Sequence, residues 1–241
     1  MWRLPALIIL TFFTIFLSVA KVEWVQEVIH MGSLQESEGP REGMFLGINN
    51  DTVPVYINAV VASCGCTTTE YTGKGIEKGD TAVIKFKFDP QGRPGKFEKN
   101  LRVYITGEQA PKRLFFNGVV FASEETLAHR FPYGDSLLRM ETDHVNMHEL
   151  NRGARKHSFV SLYNVGTDSI KPEFKSPHKS LDLNLSPKII APGEASTLSI
   201  YFKSGDADHN GYNEYKIEGI VADHGINITP IKVSAIVLSS Q

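Results

Sequence analysis

Apolar and polar residues alternate with period two along several stretches of the chain. Thr81–Phe88 reads Thr-Ala-Val-Ile-Lys-Phe-Lys-Phe, which assigns Ala82, Ile84, Phe86 and Phe88 to a defined face of a strand. Leu101–Ile105 alternates in the same way. Val53–Val61 is apolar and β-branched, and Arg113–Phe121 closes a first set of strands. Turn-forming clusters recur between these runs, and no stretch after residue 20 sustains a helical period. The pattern predicts an all-β chain of the sandwich type.

The first twenty residues depart from it. Arg3 supplies a short positive start, Leu4 to Val19 is almost wholly apolar, and Ser18-Val19-Ala20 is a small-x-small cleavage site. Residues 1–20 therefore read as a signal peptide, with an uncleaved anchor as the alternative. The run is short for a membrane span, which needs about 20 apolar residues. No cysteine lies near the cleavage site, which argues against a lipoprotein anchor. The expectation is an exported protein, periplasmic or extracellular, soluble from about Lys21 onward.

The remainder contains an internal repeat. Ile29–Leu34 matches Val145–Leu150, and Ile48-Asn49-Asn50 matches Tyr163-Asn164-Val165. Ile76-Glu-Lys-Gly79-Asp80 matches Ile190-Ala-Pro-Gly193-Glu194, and Ile84, Phe86 and Phe88 match Leu198, Ile200 and Phe202. The matches keep one order and an offset of about 115 positions, a span typical of one sandwich domain. The polar, turn-rich segment Ser123–Asp135 separates the copies. The sequence thus predicts two tandem immunoglobulin-like β-sandwich domains, residues 21–123 and 124–241.

Composition agrees with a packed globular protein, since 41% of the 241 residues are hydrophobic and 22% charged. A formal net charge of −2 offers no basic excess to displace counterions, which speaks against a nucleic-acid partner.

The first copy carries Ala62-Ser63-Cys64-Gly65-Cys66-Thr67, then Ile76-Glu-Lys-Gly-Asp80, then Phe86-Lys-Phe-Asp-Pro-Gln-Gly-Arg-Pro-Gly95-Lys-Phe97. In the order and spacing of these motifs it resembles the domain-of-unknown-function 1573 family of Bacteroidetes-type bacteria. The resemblance covers roughly residues 25–121. It implies an immunoglobulin-like sandwich related to the ASH and major-sperm-protein group, in exported proteins that mostly lack an assigned activity. The second copy shares the strand pattern and lacks the cysteine pair.

Cys64 and Cys66 are the only cysteines. An even count in an exported protein favours oxidation. In an extended strand, residues two apart hold their Cβ atoms too far apart for a relaxed bridge. Gly65 could let the chain bend and close a small ring, which would be strained and easily reduced. Two buried structural thiols, or a thiolate pair for Cu(I) or redox work, are the alternatives. Two sulfurs are too few for a structural zinc site.

Asp206-Ala-Asp208-His-Asn210-Gly211 resembles the first half of a calcium loop. Ile217 stands where the closing glutamate belongs, so a polar turn is the default reading and calcium the minority one. His144 and His148 are four apart but fit no zinc-protease motif, and they fall on a strand of the repeat. Asp51-Thr52-Val, Asp80-Thr81-Ala, Asp135-Ser136-Leu and Asp168-Ser169-Ile share one pattern, which resembles the acceptor pattern of protein O-glycosylation in exported Bacteroidetes proteins and implies Thr52, Thr81, Ser136 and Ser169 as candidates. Asp-Ser/Thr pairs that start turns are the plain reading.

No nucleophile elbow, phosphate loop or dinucleotide fingerprint is present. The sequence therefore favours a non-catalytic binding or structural module of the cell envelope, without a cofactor and with a protein partner. The alternatives are a periplasmic thiol-redox or copper-handling protein using Cys64 and Cys66, and a calcium-stabilised adhesin-like module using Asp206, Asp208 and Asn210.

Overall fold

A computed structural model describes residues 22–239. The signal peptide read over residues 1–20 lies outside them.

The first eight strands are β1 (Val22–Trp24), β2 (Val28–Gln35), β3 (Arg41–Asn49), β4 (Ile57–Ala62), β5 (Thr67–Tyr71), β6 (Thr81–Phe88), β7 (Gly95–Ile105) and β8 (Lys112–Phe121). They form two four-stranded sheets, in the orders β1-β3-β6-β5 and β2-β8-β7-β4. The alternating pattern of Thr81–Phe88 is realised as drawn: Ala82, Ile84, Phe86 and Phe88 all point into the core between the sheets. There Phe86 and Phe116 stack at 4.4 Å, as do Phe88 and Phe97. Aromatic pairs at such spacing add to the free energy of simple area burial.

A second set follows: β9 (Tyr133–Gly134), β10 (Leu138–Met140), β11 (His144–Asn151), β12 (Arg155–Asn164), β13 (Pro172–Lys175), β14 (Leu181–Ser186), β15 (Ala195–Lys203), β16 (Gly211–Val221) and β17 (Ile226–Leu238). Its sheets run β14-β15-β12-β10-β9 and β11-β17-β16-β13. With β9 set aside, the second set repeats the first strand for strand, β10 to β17 standing for β1 to β8. Each set encloses its own hydrophobic cluster. The protein is two tandem β-sandwiches.

The repeat extends to single hydrogen bonds. Asn49 is buried at the end of β3. Its Nδ2 donates to the carbonyls of Ile76 and Val53 at 2.8 and 3.1 Å, and its Oδ1 accepts from Asp51 N at 2.8 Å. Asn164 does the same at the end of β12: to Ile190 O and Asp168 O at 2.9 and 2.8 Å, and from Gly166 N at 2.8 Å. Gly79 N and Gly193 N donate to the two asparagine carbonyls. Both glycines have positive φ, 84° and 71°, which an L side chain rarely adopts and which lets the turn fold back. Each asparagine thus staples the strand end to the turn that precedes β6 or β15.

The edge strands β2 and β11 pair in parallel with the last strand of their sheets. Both ladders slip at the same point, between His30 and Ser33 and between Asn146 and Glu149. The bulge residue is Gly32 in one copy, with φ 70°, and His148 in the other, with φ 57°.

Two sequence expectations are corrected. The segment after Ser123 is not only turns, because Glu124–Arg130 forms a short helix, α1. Ser123 caps it by accepting a hydrogen bond from Thr126 N, with Glu124 and Glu125 in the first turn and His129 and Arg130 in the last. That is the charge order a helix dipole favours. Leu127 and Phe131 pack it onto Tyr163 of β12. Strand pairing in the Val53–Val61 run begins only at Ile57, apart from an isolated bridge at Val55. Pro54 has no N–H to give to a ladder.

Candidate functional site

Cys64 and Cys66 do not lie in a strand. They sit in the turn by which the chain leaves β4 in one sheet and enters β5 in the other. The turn draws their Cα atoms to 5.2 Å, within the usual range for a bridge, and the two sulfurs form a disulfide. Gly65 at its apex is exposed, Cys64 is half-buried, and Cys66 is 7% exposed. The Thr67 hydroxyl lies 3.6 Å from Cys64 Sγ and 3.9 Å from Cys66 Sγ.

The bridge adds little that the fold lacks. A cross-link across three residues removes about 1.6 kcal/mol of unfolded-chain entropy, against about 3 kcal/mol for a fifteen-residue loop. The turn is also held by backbone bonds, from Ser63 N to Asn100 O and from Asp89 N to Cys66 O, both 2.9 Å.

The second sandwich makes the same crossing, from β13 to β14, without cysteines. His178 takes the central position there. Its Nδ1 bonds Ser180 Oγ at 2.9 Å, its Nε2 lies 3.3 Å from Asp208 Oδ1, and its ring stacks on Tyr215 at 5.1 Å. Ser176 Oγ donates to Leu181 O and His178 O at 2.6 and 2.9 Å, closing the turn. Ser180, His178 and Asp208 form a serine–histidine–carboxylate chain. Ser180 is 0% exposed, however, so no substrate reaches its hydroxyl.

The loop that resembles a calcium site sends its side chains to separate partners. Asp206 lies 3.9 Å from Lys203, Asp208 pairs with His178, and Asn210 Oδ1 accepts from Arg152 Nε at 2.7 Å. Among the described residues no group of three His, Cys, Asp or Glu side chains could hold a metal ion. Copper would require the Cys64–Cys66 bridge to open first, because the thiolate is the metal ligand. His144 and His148 point outward from β11, His144 onto Ser234 Oγ at 2.8 Å. Thr52, Thr81, Ser136 and Ser169 are all exposed, Thr81 at the first position of β6 and the others in loops.

A surface feature went unnoticed in the sequence. β3 and β6 turn Met44, Leu46, Ile48 and Val83 to the outer face of their sheet, and Val25 joins them opposite Leu46. Val25, Met44 and Ile48 are 68%, 44% and 40% exposed. Glu42 and Lys87, 3.5 Å apart, and Lys85 and Glu70 on neighbouring positions rim this apolar strip. Its signal was the run Met44-Phe-Leu-Gly-Ile48, apolar on both faces where a sheet with one solvated face alternates.

At the junction of the sandwiches, Glu36 Oε2 accepts from Ser123 N at 2.6 Å, and Ala122 N donates to Tyr163 Oη at 3.0 Å. Burial of Tyr163 penalises its phenolate and raises its pKa above the usual value of 10.0.

No curated protein matches the chain. Among solved structures it is similar to a protein of unknown function from Porphyromonas gingivalis W83, at 15% identity and TM-score 0.39, over 90% of this chain and 100% of that one. It is also similar to PapD-like domain 7 of human CEP192, an ASH domain, at 13% identity and TM-score 0.35, over 44% of this chain and 88% of that one. A Caenorhabditis elegans member of the MSP family, WR4, aligns at 13% identity and TM-score 0.30, over 43% of this chain and 100% of that one. Residues 22–120, the first sandwich, match the family described as protein of unknown function, DUF1573.

Proposed function

We propose that the protein is an exported, non-catalytic binding module of the cell envelope, whose partner surface is the outer face of the β1-β3-β6-β5 sheet. The observation that carries this is the strip of Val25, Met44, Leu46, Ile48 and Val83. Its side chains are contiguous in the strand register, with Val25, Met44 and Ile48 exposed and Leu46 and Val83 half-buried. An apolar centre inside a polar rim is the anatomy of protein–protein interfaces. The rim carries both signs, with Glu42 against Lys87 and Lys85 beside Glu70. A protein face of mixed charge complements such a rim, whereas an anionic surface would meet the two glutamates unfavourably. The reading of export rests on the N-terminal segment around Arg3 and Ser18-Val19-Ala20. The buried Ser180 supports the non-catalytic part of the proposal.

The test is a photo-crosslinking amino acid at Met44, in protein expressed in its own cells, against a control probe at Glu218 on the second sandwich. A discrete protein adduct is expected from Met44 only, and Leu46→Lys should abolish it while leaving the melting temperature unchanged. An adduct that persists in Leu46→Lys, or none at Met44, would overturn the proposal.

A further inference from the structure

We infer that the Cys64–Cys66 bridge is a thiol–disulfide exchange site that oxidises a pair of thiols in a partner protein. The inference is independent of the outer-face reading. Three observations carry it. The bridge spans only two positions, in a turn that backbone hydrogen bonds already hold. The second sandwich builds the same crossing without sulfur, through His178, so the fold does not depend on a bridge there. The two sulfurs also differ in access: Cys64 is half-buried, Cys66 is buried, and an added Cβ at Gly65 between them meets nothing within 4 Å.

This asymmetry sets the direction of attack. A partner thiolate approaches Cys64 Sγ from solvent and forms a bond to it as the Cys64–Cys66 bond breaks. The electron pair leaves on Cys66 Sγ; the Thr67 hydroxyl, 3.6 Å from Cys64 Sγ and 3.9 Å from Cys66 Sγ, can turn to donate to either thiolate. The partner's second thiolate then attacks its own sulfur in the mixed disulfide and releases Cys64 as a thiolate. Two partner thiols become one disulfide, and the protein's bridge becomes two thiols. Two electrons move, the partner's two protons pass to Cys64 and Cys66 through water, and no further oxidant enters. Exchange rates follow access and leaving-group stabilisation, and of the two sulfurs that of the half-buried Cys64 is the more accessible.

The test uses the full chain, native and without denaturant, with reduced glutathione and a reduced two-cysteine peptide as probes. Alkylation and mass mapping follow the sulfurs. The expected result is one peptide disulfide appearing for every two protein thiols. The single-cysteine variants are probed with oxidised glutathione instead, each adduct forming as one reduced glutathione leaves: Cys66→Ser should take its adduct on Cys64, and Cys64→Ser should acquire its adduct at Cys66 at least about tenfold more slowly. Thr67→Val should slow exchange about tenfold at an unchanged melting temperature, the effect of losing one hydrogen bond to the leaving thiolate. A bridge that stays closed in native protein and opens only in denaturant would overturn the inference. So would equal adduct rates at the two cysteines.

Discussion

The paired asparagine staples make the sharpest prediction. In Asn49→Asp the shape is kept, but an oxygen replaces the amide that donates to Ile76 O at 2.8 Å and Val53 O at 3.1 Å. A protonated carboxyl can still donate to one of these carbonyls. The other is left without its partner inside the core, which costs about 2 kcal/mol. An ionised carboxylate donates to neither, and it places a charge against two carbonyl oxygens. Burial and that repulsion should raise the folded-state pKa of the new carboxyl by about three units. A raised carboxyl pKa makes the unfolded chain release its proton first, so stability is kept below about pH 4 and falls as pH rises. The slope is about 1.4 kcal/mol per pH unit until the folded carboxyl ionises. The loss should therefore grow from about 2 kcal/mol at pH 4 to about 6 kcal/mol at pH 7. Urea unfolding, followed by emission of the core residue Trp24 in a Trp2→Phe background, reads the first sandwich directly. Asn49→Ala should lose stability with little pH dependence, and Asn164→Asp should show the same slope in the second sandwich. Equal losses for Asn49→Asp at pH 4 and pH 7 would refute the reasoning.

Four further outcomes are expected. Tyr163 keeps its proton when folded because burial raises its pKa, so stability is full below pH 10.0 and lost above it as the unfolded chain ionises. Tyr163→Phe should flatten melting temperature against pH between about 9 and 11, and ultraviolet titration of the wild type should show a late-ionising phenol that this substitution removes. His148→Gly should stabilise the protein by up to about 1 kcal/mol, because φ 57° suits glycine better than an L side chain, whereas Gly32→Ala should destabilise it. Phe116→Ala, which removes the ring stacked on Phe86, should cost about 3–5 kcal/mol in urea unfolding. Calcium and chelator should give the same melting temperature, because Asp206, Asp208 and Asn210 face Lys203, His178 and Arg152. A calcium-dependent rise abolished by Asp208→Asn would contradict this.

How much of this could be read in advance differs from element to element. The alternation of Thr81–Phe88 and the paired motifs around Asn49 and Asn164 determine the two sandwiches, because strand periodicity and turn chemistry are local properties of the chain. The helix Glu124–Arg130 was also locally written, in the capping Ser123 and the acidic-to-basic order that follows. Its polar surface read as turns, because its apolar contribution is only Leu127 and Phe131, too few to show a period. Sequence spacing left the state of Cys64 and Cys66 open, since an extended strand would hold them apart. Only the crossing between sheets bends the chain enough to join them. In the same way, the oxygens of Asp206, Asp208 and Asn210 are spaced as ligands along the chain. The fold supplies the distant side chains His178 and Arg152 that draw Asp208 and Asn210 apart, while Asp206 lies near Lys203, three residues before it. Periodicity fixes which side of a strand a residue faces. What stands on that side comes from strands far away in sequence, and this is why the bridge and the His178 crossing were decided by tertiary structure alone, and why the outer strip, signalled by Met44–Ile48, is completed only by Val25, just past β1, and Val83 on β6.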